Sequence, residues 1–288
     1  MELTPGRPSR VPAILQGIVR PLLAGLLVAS AGVGGWWVLI QAENRVIDRL
    51  VETETRLVAA QIERTLRMHL VELEQMARRW ERRTNAAADD WKADVLEVKR
   101  QTPAFRAIEW REPALTLRWA APLTALGRGG DLDSLYEDRR LAALSLAGGT
   151  NVPYVSATYY GSVEHRHVSV VAPMFDGESV NGYLIGVVRV RDLLDESLHQ
   201  ELKNGYSIAV HEGPYLLYGP EPTTEGRDAE RFSRFAEVEV EGLKWKVEAW
   251  PGRQLTPRLR SPAALVVLVI GVMFGVFAAA VVSRPPSR

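Results

Sequence analysis

RHVSVVAPMFDGESVNGYLIGVVRV, Arg166 to Val190, is the stretch that decides the fold. RHVSVVAPMF and GYLIGVVRV are rich in β-branched and aromatic residues, which suit a pleated surface. Asp176-Gly177 lies between them, where a short polar side chain and a missing Cβ favour a tight turn. Upstream, FRAIEW and LTLRW flank a turn at Arg111 to Pro113 and predict a second hairpin, with Leu115, Leu117 and Trp119 on one strand face. YVSATYYG is a further strand-like stretch. DLDSLYEDRRLAALSLAGG predicts a short helix from about Leu135 to Ala147, stopped by Gly148 and Gly149. After Arg191 helical spacing returns, with Leu194, Leu198 and Leu202 on one side. A smaller second set of strands follows at YSIAVHEG, YLLYG, FAEVEVEG and LKWKVEAW.

Before these strands comes a long helical pattern. Ile47, Val51, Val58, Ile62, Leu66, Leu70, Leu73, Ala77 and Trp80 recur at helical spacing and form one apolar face. Glu52 with Arg56, Glu63 with Arg67 and Glu74 with Arg78 stand four apart in the favourable order on the exposed side. The pattern loosens at RTNAAADD, where Asp89 or Asp90 can cap a shorter helix carrying Trp91, Val95 and Val98. Thr102 and Pro103 end that helix.

Two uncharged apolar runs lie near the ends, Pro21 to Ile40 and Pro262 to Val282. Each is long enough to cross about 30 Å of hydrocarbon. Trp36 and Trp37 sit near one end of the first, where indoles prefer the membrane interface. A secretory leader is the alternative for the first run, since Arg7, Arg10 and Arg20 precede it and Ala29-Ser30-Ala31 resembles a cleavage site. The run continues to Ile40, which favours an uncleaved anchor. In the second run Gly271, Gly275 and Ala279 are four apart, a stripe that lets two helices approach closely. Its partner is either a second copy or the first apolar run of the same chain.

Composition removes several functions. Lys plus Arg is 35 and Asp plus Glu is 35, so no basic field marks a nucleic-acid partner. With no cysteine, disulfides, thiolate metal sites and a cysteine nucleophile are excluded. His165 and His167 share a strand face, but a metal needs a third ligand and none is marked; a polar strand end is the preferred reading. DLDSLYED starts like a calcium loop, yet Leu135 and Tyr136 fall where an oxygen ligand and a glycine are needed. No nucleophile elbow, zinc-protease, phosphate-loop or kinase pattern is present, and GVGG lies inside the first apolar run. Neither an enzymatic activity nor a metal or other cofactor is expected.

The collinear series FRAIEW, LRWAAPL, DRRLAALSLAGGT, VSVVAPMF, GYLIGVVRVRDLL and VEGLKWKVEAW resembles a CHASE domain. That module is the extracytoplasmic sensor of many bacterial kinases, of cyclases and of plant cytokinin receptors. The resemblance covers nearly all of Gln41 to Pro251. It implies an α+β fold in which a stalk helix carries a membrane-distal PAS-like subdomain that holds a small ligand, then a membrane-proximal one. The corresponding segments are 1–20 (cytoplasmic), 21–40 (first span), 41–83 (stalk), 84–203 (distal), 204–260 (proximal), 261–282 (second span) and 283–288 (cytoplasmic tail).

Trp110, Trp119, Tyr154, Tyr160 and Tyr183 lie on or beside the distal strands, where they would wall a pocket or fill the core. The resemblance adds Thr158 and Met174 as ligand contacts. The acidic group that reads the ligand in plant members has no equivalent here; near LTLRWAAPL the chain has Arg118, which argues against a cytokinin-like ligand and leaves a ligand with an anionic end as an alternative. Asp138 and Arg139 could instead form a structural ion pair. The resulting expectation is a two-span sensor, probed from outside the cytoplasm by a small molecule and acting as a homodimer. Its output would be a domain beyond Arg288 or a separate cytoplasmic partner. A membrane-anchored scaffold whose PAS-like fold holds no ligand is the alternative.

Overall fold

A computed structural model describes residues 13–83, 87–122, 142–147, 149, 152–160 and 166–283. The longest element is α1 (Ala13–Glu81), a single helix of 69 residues that contains Pro21. The first apolar run and the stalk are therefore continuous. The chain divides into two compact units, one from its two ends (up to Arg49 and from Pro257) and one of Leu50–Thr256.

In the first unit the N-terminal part of α1 packs on α8 (Ala263–Val282). Both helices are long and apolar enough to cross a membrane. A Cβ added at Gly32 would lie 2.6 Å from the Gly271 Cα, and one added at Gly25 would lie 2.8 Å from the Gly275 carbonyl oxygen. Backbone thus meets backbone at both levels.

In the second unit the predicted apolar face of α1 is buried at every position named above from Val51 to Trp80; Ile47, in the first unit, is buried as well. The three i,i+4 ion pairs form on its outer side, with Arg67 2.9 Å from Glu63. Such exposed pairs contribute about 0.3–0.5 kcal/mol each, so burial of the apolar face is what holds the helix down. The shorter helix α2 (Ala88–Gln101) turns back along α1 and buries Trp91, Val95 and Val98. Asp94 accepts hydrogen bonds from the Trp80 indole at 2.7 Å and from Arg79 at 3.2 Å. Contrary to expectation neither Asp89 nor Asp90 is the cap. The N-cap is Ala87, with no side-chain bond, and both aspartates lie in the first turn, where they complement the helix dipole instead.

The first sheet is antiparallel, ordered β2-β1-β6-β5-β3, with β4 also paired to β5. Its strands are β1 (Phe105–Arg111), β2 (Leu117–Ala121), β3 (Tyr154–Val155), β4 (Tyr159–Tyr160), β5 (Arg166–Asp176) and β6 (Ser179–Arg189). The β5–β6 hairpin closes at the predicted turn, pairing Asp176 with Ser179 around Gly177 at φ +63°. In β1–β2 the turn runs through Glu112 to Thr116, and Leu115 adopts φ +66°. Leu115 therefore leaves the strand, Leu117 is exposed, and only Trp119 of the expected trio packs toward the main core.

The helix α3 (142–147) lies within the segment predicted from Leu135; the earlier part of that segment falls outside the described residues. The next helix, α4 (Val190–Lys203), buries Leu194 and Leu198 but leaves Leu202 40% exposed, so the apolar side ends one turn early.

The second sheet is ordered β8-β7-β10-β9, formed by β7 (Tyr206–Glu212), β8 (Tyr215–Tyr218), β9 (Arg234–Val240) and β10 (Leu243–Pro251). Two short helices, α5 (Pro222–Glu225) and α6 (Arg227–Phe232), precede β9; a third, α7 (Thr256–Leu259), follows β10. One face of each sheet joins a shared core along α1. The other face of the second sheet carries Ala209 and Trp250 against Ala229 of α6.

Candidate functional site

Strand alternation divides the first sheet into two chemically different faces. Toward α1 and α2 point Phe105, Ile108, Trp110, Met174, Leu184 and Val188. On the opposite face Val171, Tyr183 and Ile185 pack with Ala143, Leu144 and Ala147 of α3. Glu109 and Arg111 alternate with Trp110, so they belong to this second face. Arg111 Nε stands 3.1 Å from Glu109 Oε2, with the carboxylate side chain 1% exposed and the guanidinium 15%. Arg111 also donates to the Leu115 carbonyl at 2.9 Å. Burial pushes the Glu109 carboxyl up, against the opposing pull of Arg111. Removing one member of such a pair leaves an uncompensated buried charge, at a cost of about 3–5 kcal/mol.

The residues expected to contact a ligand do not form one group. Trp110 and Trp119 are edge-to-face at 5.1 Å, and each meets a helix tryptophan: Trp80 lies 5.8 Å from Trp110 and Trp91 lies 5.8 Å from Trp119. Arg118 sits over both strand indoles, at 4.8 and 4.6 Å. Met174 is buried on the same side, close to Trp110 beside Gly182. These four residues thus join α1 and α2 to the sheet. Tyr183 lies on the Glu109–Arg111 face, where Tyr154 of β3 packs against the same cluster.

Thr158 sits at the junction of the two sheets. Its backbone N–H donates to Glu212 at 3.0 Å and its hydroxyl accepts from the Trp245 indole at 3.3 Å. The Val155 N–H, donating to the Glu241 carbonyl at 2.9 Å, holds the same junction. Tyr160 pairs through its backbone with Arg166. Gly271, Gly275 and Ala279 of α8 lie against Gly32, Ala29 and Gly25 of α1 in the same chain.

His167 pairs along the sheet with Tyr159 and Arg189, while His165, Asp138, Arg139 and the calcium-like stretch lie outside the described residues. Among the described residues no three His, Asp or Glu side chains gather as metal ligands. The Glu109–Arg111 pair escaped the sequence reading, although a charged residue set between Ile108 and Trp110 in an apolar strand was the available signal.

A long helix carrying two antiparallel sheets is the architecture of PAS-like ligand-binding domains, and solved structures bear the likeness out. The ligand-binding domain of the Pseudomonas fluorescens chemoreceptor CtaA, solved with L-leucine, matches with TM-score 0.50 and 11% identity over 74% of this chain and 98% of that one. An extracellular ligand-binding receptor from Desulfohalobium retbaense matches with TM-score 0.51 and 12% identity. That match covers 69% of this chain, which spans only 40% of the receptor structure. The amino acid chemoreceptor PctC of Pseudomonas aeruginosa, solved with GABA, gives TM-score 0.48 and 15% identity over 68% of this chain and 95% of that one. No family model and no curated protein matches the sequence. The fold is thus that of these ligand-binding domains, with nothing in the likenesses specific to CHASE domains.

Proposed function

We propose that the chain is the extracytoplasmic small-molecule sensor of a CHASE-like transmembrane receptor, with the first sheet as its ligand-binding part. The observation that carries this reading is the buried Glu109–Arg111 pair on the sheet face turned away from α1. An α-amino acid bears complementary charges, an ammonium for Glu109 and a carboxylate for Arg111. Exchanging the internal ion pair for those of a ligand keeps both buried charges compensated. No reaction is assigned to these residues.

In this reading α1 and α8 cross the inner membrane with both termini cytoplasmic, and the sheets lie in the periplasm. Ligand state passes to the helices, with coupling on the usual scale of about 1–3 kcal/mol, and reaches an output domain or partner outside this chain. The receptor acts as a homodimer. The exposed Leu57, Met68 and Val71 on the side of α1 away from the core, beside a groove of 690 Å³ against α2, support that assembly.

The test is thermal unfolding of the full chain in detergent with each of the common amino acids and GABA. A true ligand at about one hundred times its Kd raises the melting temperature by about 5 °C or more. Arg111→Lys, which keeps the charge but loses the planar fork, reduces the shift. No shift with any compound, with the dimer intact, would favour the ligand-free scaffold.

A further inference from the structure

One row of side chains crosses the first sheet from the Glu109–Arg111 pair to its far edge. The registers place Glu109 of β1 opposite Ile185 of β6, Ile185 opposite Val171 of β5, and Val171 opposite Tyr154 of β3. Directly opposed residues leave a sheet on the same face, so all four point away from α1. Glu109, Ile185 and Val171 are fully buried, and Tyr154 packs on the cluster that holds the two aliphatic members. Arg111 stands opposite Tyr183 of the same cluster. At about 4.8 Å between neighbouring strands the row is about 14 Å long.

The row ends against the second sheet. A two-residue turn, Glu241-Gly242, joins β9 to β10, and both residues have positive φ, +34° and +98°. Such turns match the twist of the flanking strands and favour glycine. A Cβ added at Gly242 would fall 2.1 Å from Cζ of Tyr154 and 2.3 Å from its hydroxyl oxygen, so the ring tip rests on bare backbone. One residue on, the Val155 N–H donates to the Glu241 carbonyl at 2.9 Å. β3 thus grips the turn at two points, by a ring and by an amide.

The other side of the turn reaches the stalk. The Glu241 carboxylate lies 3.2 Å from Arg67 of α1, whose guanidinium also pairs with Glu63 at 2.9 Å. All three side chains are 38–49% exposed, so each pair is weak. Arg67 can release Glu241 and keep Glu63 at little cost, which makes this contact breakable. Arg67 also lines the groove on the outer face of α1 that supports the homodimer.

We propose that Tyr154 is a positioning residue through which the state of the Glu109–Arg111 face reaches the stalk. A shift along the row moves the ring, the ring moves the Glu241-Gly242 turn, and the turn makes or breaks the Glu241–Arg67 contact. Close-packed neighbours pass a shift on because no free space absorbs it. The two arrangements at the receiving end are Arg67 with both carboxylates and Arg67 with Glu63 alone. The input rests on the sensor reading; the route is added to it.

The test needs no ligand. Hydrogen exchange of the full chain in detergent is followed by mass spectrometry at 236–245, which holds the turn, at 62–72, which holds Arg67, and at β7 as a control. The perturbation is Arg111→Lys, which keeps the charge of the buried pair but loses its planar fork. It should speed exchange at 236–245 and 62–72 by about threefold or more and leave β7 unchanged. Tyr154→Phe keeps the ring carbon that meets Gly242 and preserves both responses. Tyr154→Leu fills the β3 position but stops short of Gly242, and abolishes both. Glu241→Gln, an exposed change, abolishes the response at 62–72 and keeps that at 236–245. No response to Arg111→Lys at 236–245, or an equal one at β7, would overturn the coupling. A full response in Tyr154→Leu would overturn the part played by Tyr154, and a response at 62–72 retained in Glu241→Gln would overturn the step to the stalk. Because the amino-acid response is measured separately, failure of the sensor reading and failure of this route are distinguishable.

Discussion

His69 offers a quantitative test of how the stalk meets the first sheet. Its side chain lies on the buried face of α1, 4% exposed, with its ring 5.3 Å from that of Phe105. Nδ1 is buried without a hydrogen-bond partner among the described residues, and burial lowers the imidazole pKa from 6.5 to about 4. Above pH 6.5 the residue is neutral in both folded and unfolded chains and contributes no pH dependence. Below it the unfolded chain takes up a proton that the folded chain refuses until about pH 4, so stability falls as pH falls through that window. At about 1.4 kcal/mol per unit, the loss is about 2 kcal/mol at pH 5 and levels near 3 kcal/mol below pH 4.

His69→Leu removes this proton uptake and suits an apolar site. The assay is urea unfolding of the full chain in detergent, followed by tryptophan fluorescence, at pH 7.5 and pH 5 for both proteins. The variant should gain about 2 kcal/mol on the wild type between the two pH values, a double difference in which other titrating groups cancel. A double difference under about 0.5 kcal/mol would mean that water or a proton reaches His69 in the native state, and would refute the packing of α1 on Phe105 described above.

Two further outcomes follow from close backbone approaches. Gly186 of β6 lies under Phe105, where an added Cβ would come 2.3 Å from Cε1 of a fully buried ring. Gly186→Ala should therefore cost about 1–3 kcal/mol, visible as a lower melting temperature, and a neutral effect would place Phe105 elsewhere. In the apolar helix pair, a Cβ on Gly275 falls 3.0 Å from the Ala29 Cβ, and the native chain has no cysteine. Oxidation of the Ala29→Cys, Gly275→Cys double variant should yield a cross-link within one chain, read as an unchanged mass and a faster gel band. Cross-linked dimers as the main product would instead assign this small-residue contact to a second copy.

The sequence by itself determined the elements whose causes are local. The apolar stripe from Ile47 to Trp80 specifies a helix face because 3.6-residue periodicity needs no knowledge of the partner surface. The three Glu-Arg pairs close within one turn of that helix. Asp176-Gly177 sets the β5–β6 turn through its own backbone freedom, and the uncharged runs near the ends follow from length and composition alone. Leu115 marks where local pattern failed: its positive φ places the turn across residues that read as strand.

The candidate sites depended on tertiary structure. Strand alternation sorts Trp110 from Glu109 and Arg111, but only docking of the sheet on α1 decides which set enters the core and which faces away. Packing against Trp80 and Trp91 sends Trp110 and Trp119 to the stalk side. Thr158 goes to the sheet junction because its partners, Glu212 and Trp245, lie more than fifty residues along the chain. Tyr154 meets Gly242 only after β3 has paired with β5 and the second sheet has docked beside it. Periodicity fixes which residues share a face; the partner of that face is set by the packing of the whole chain.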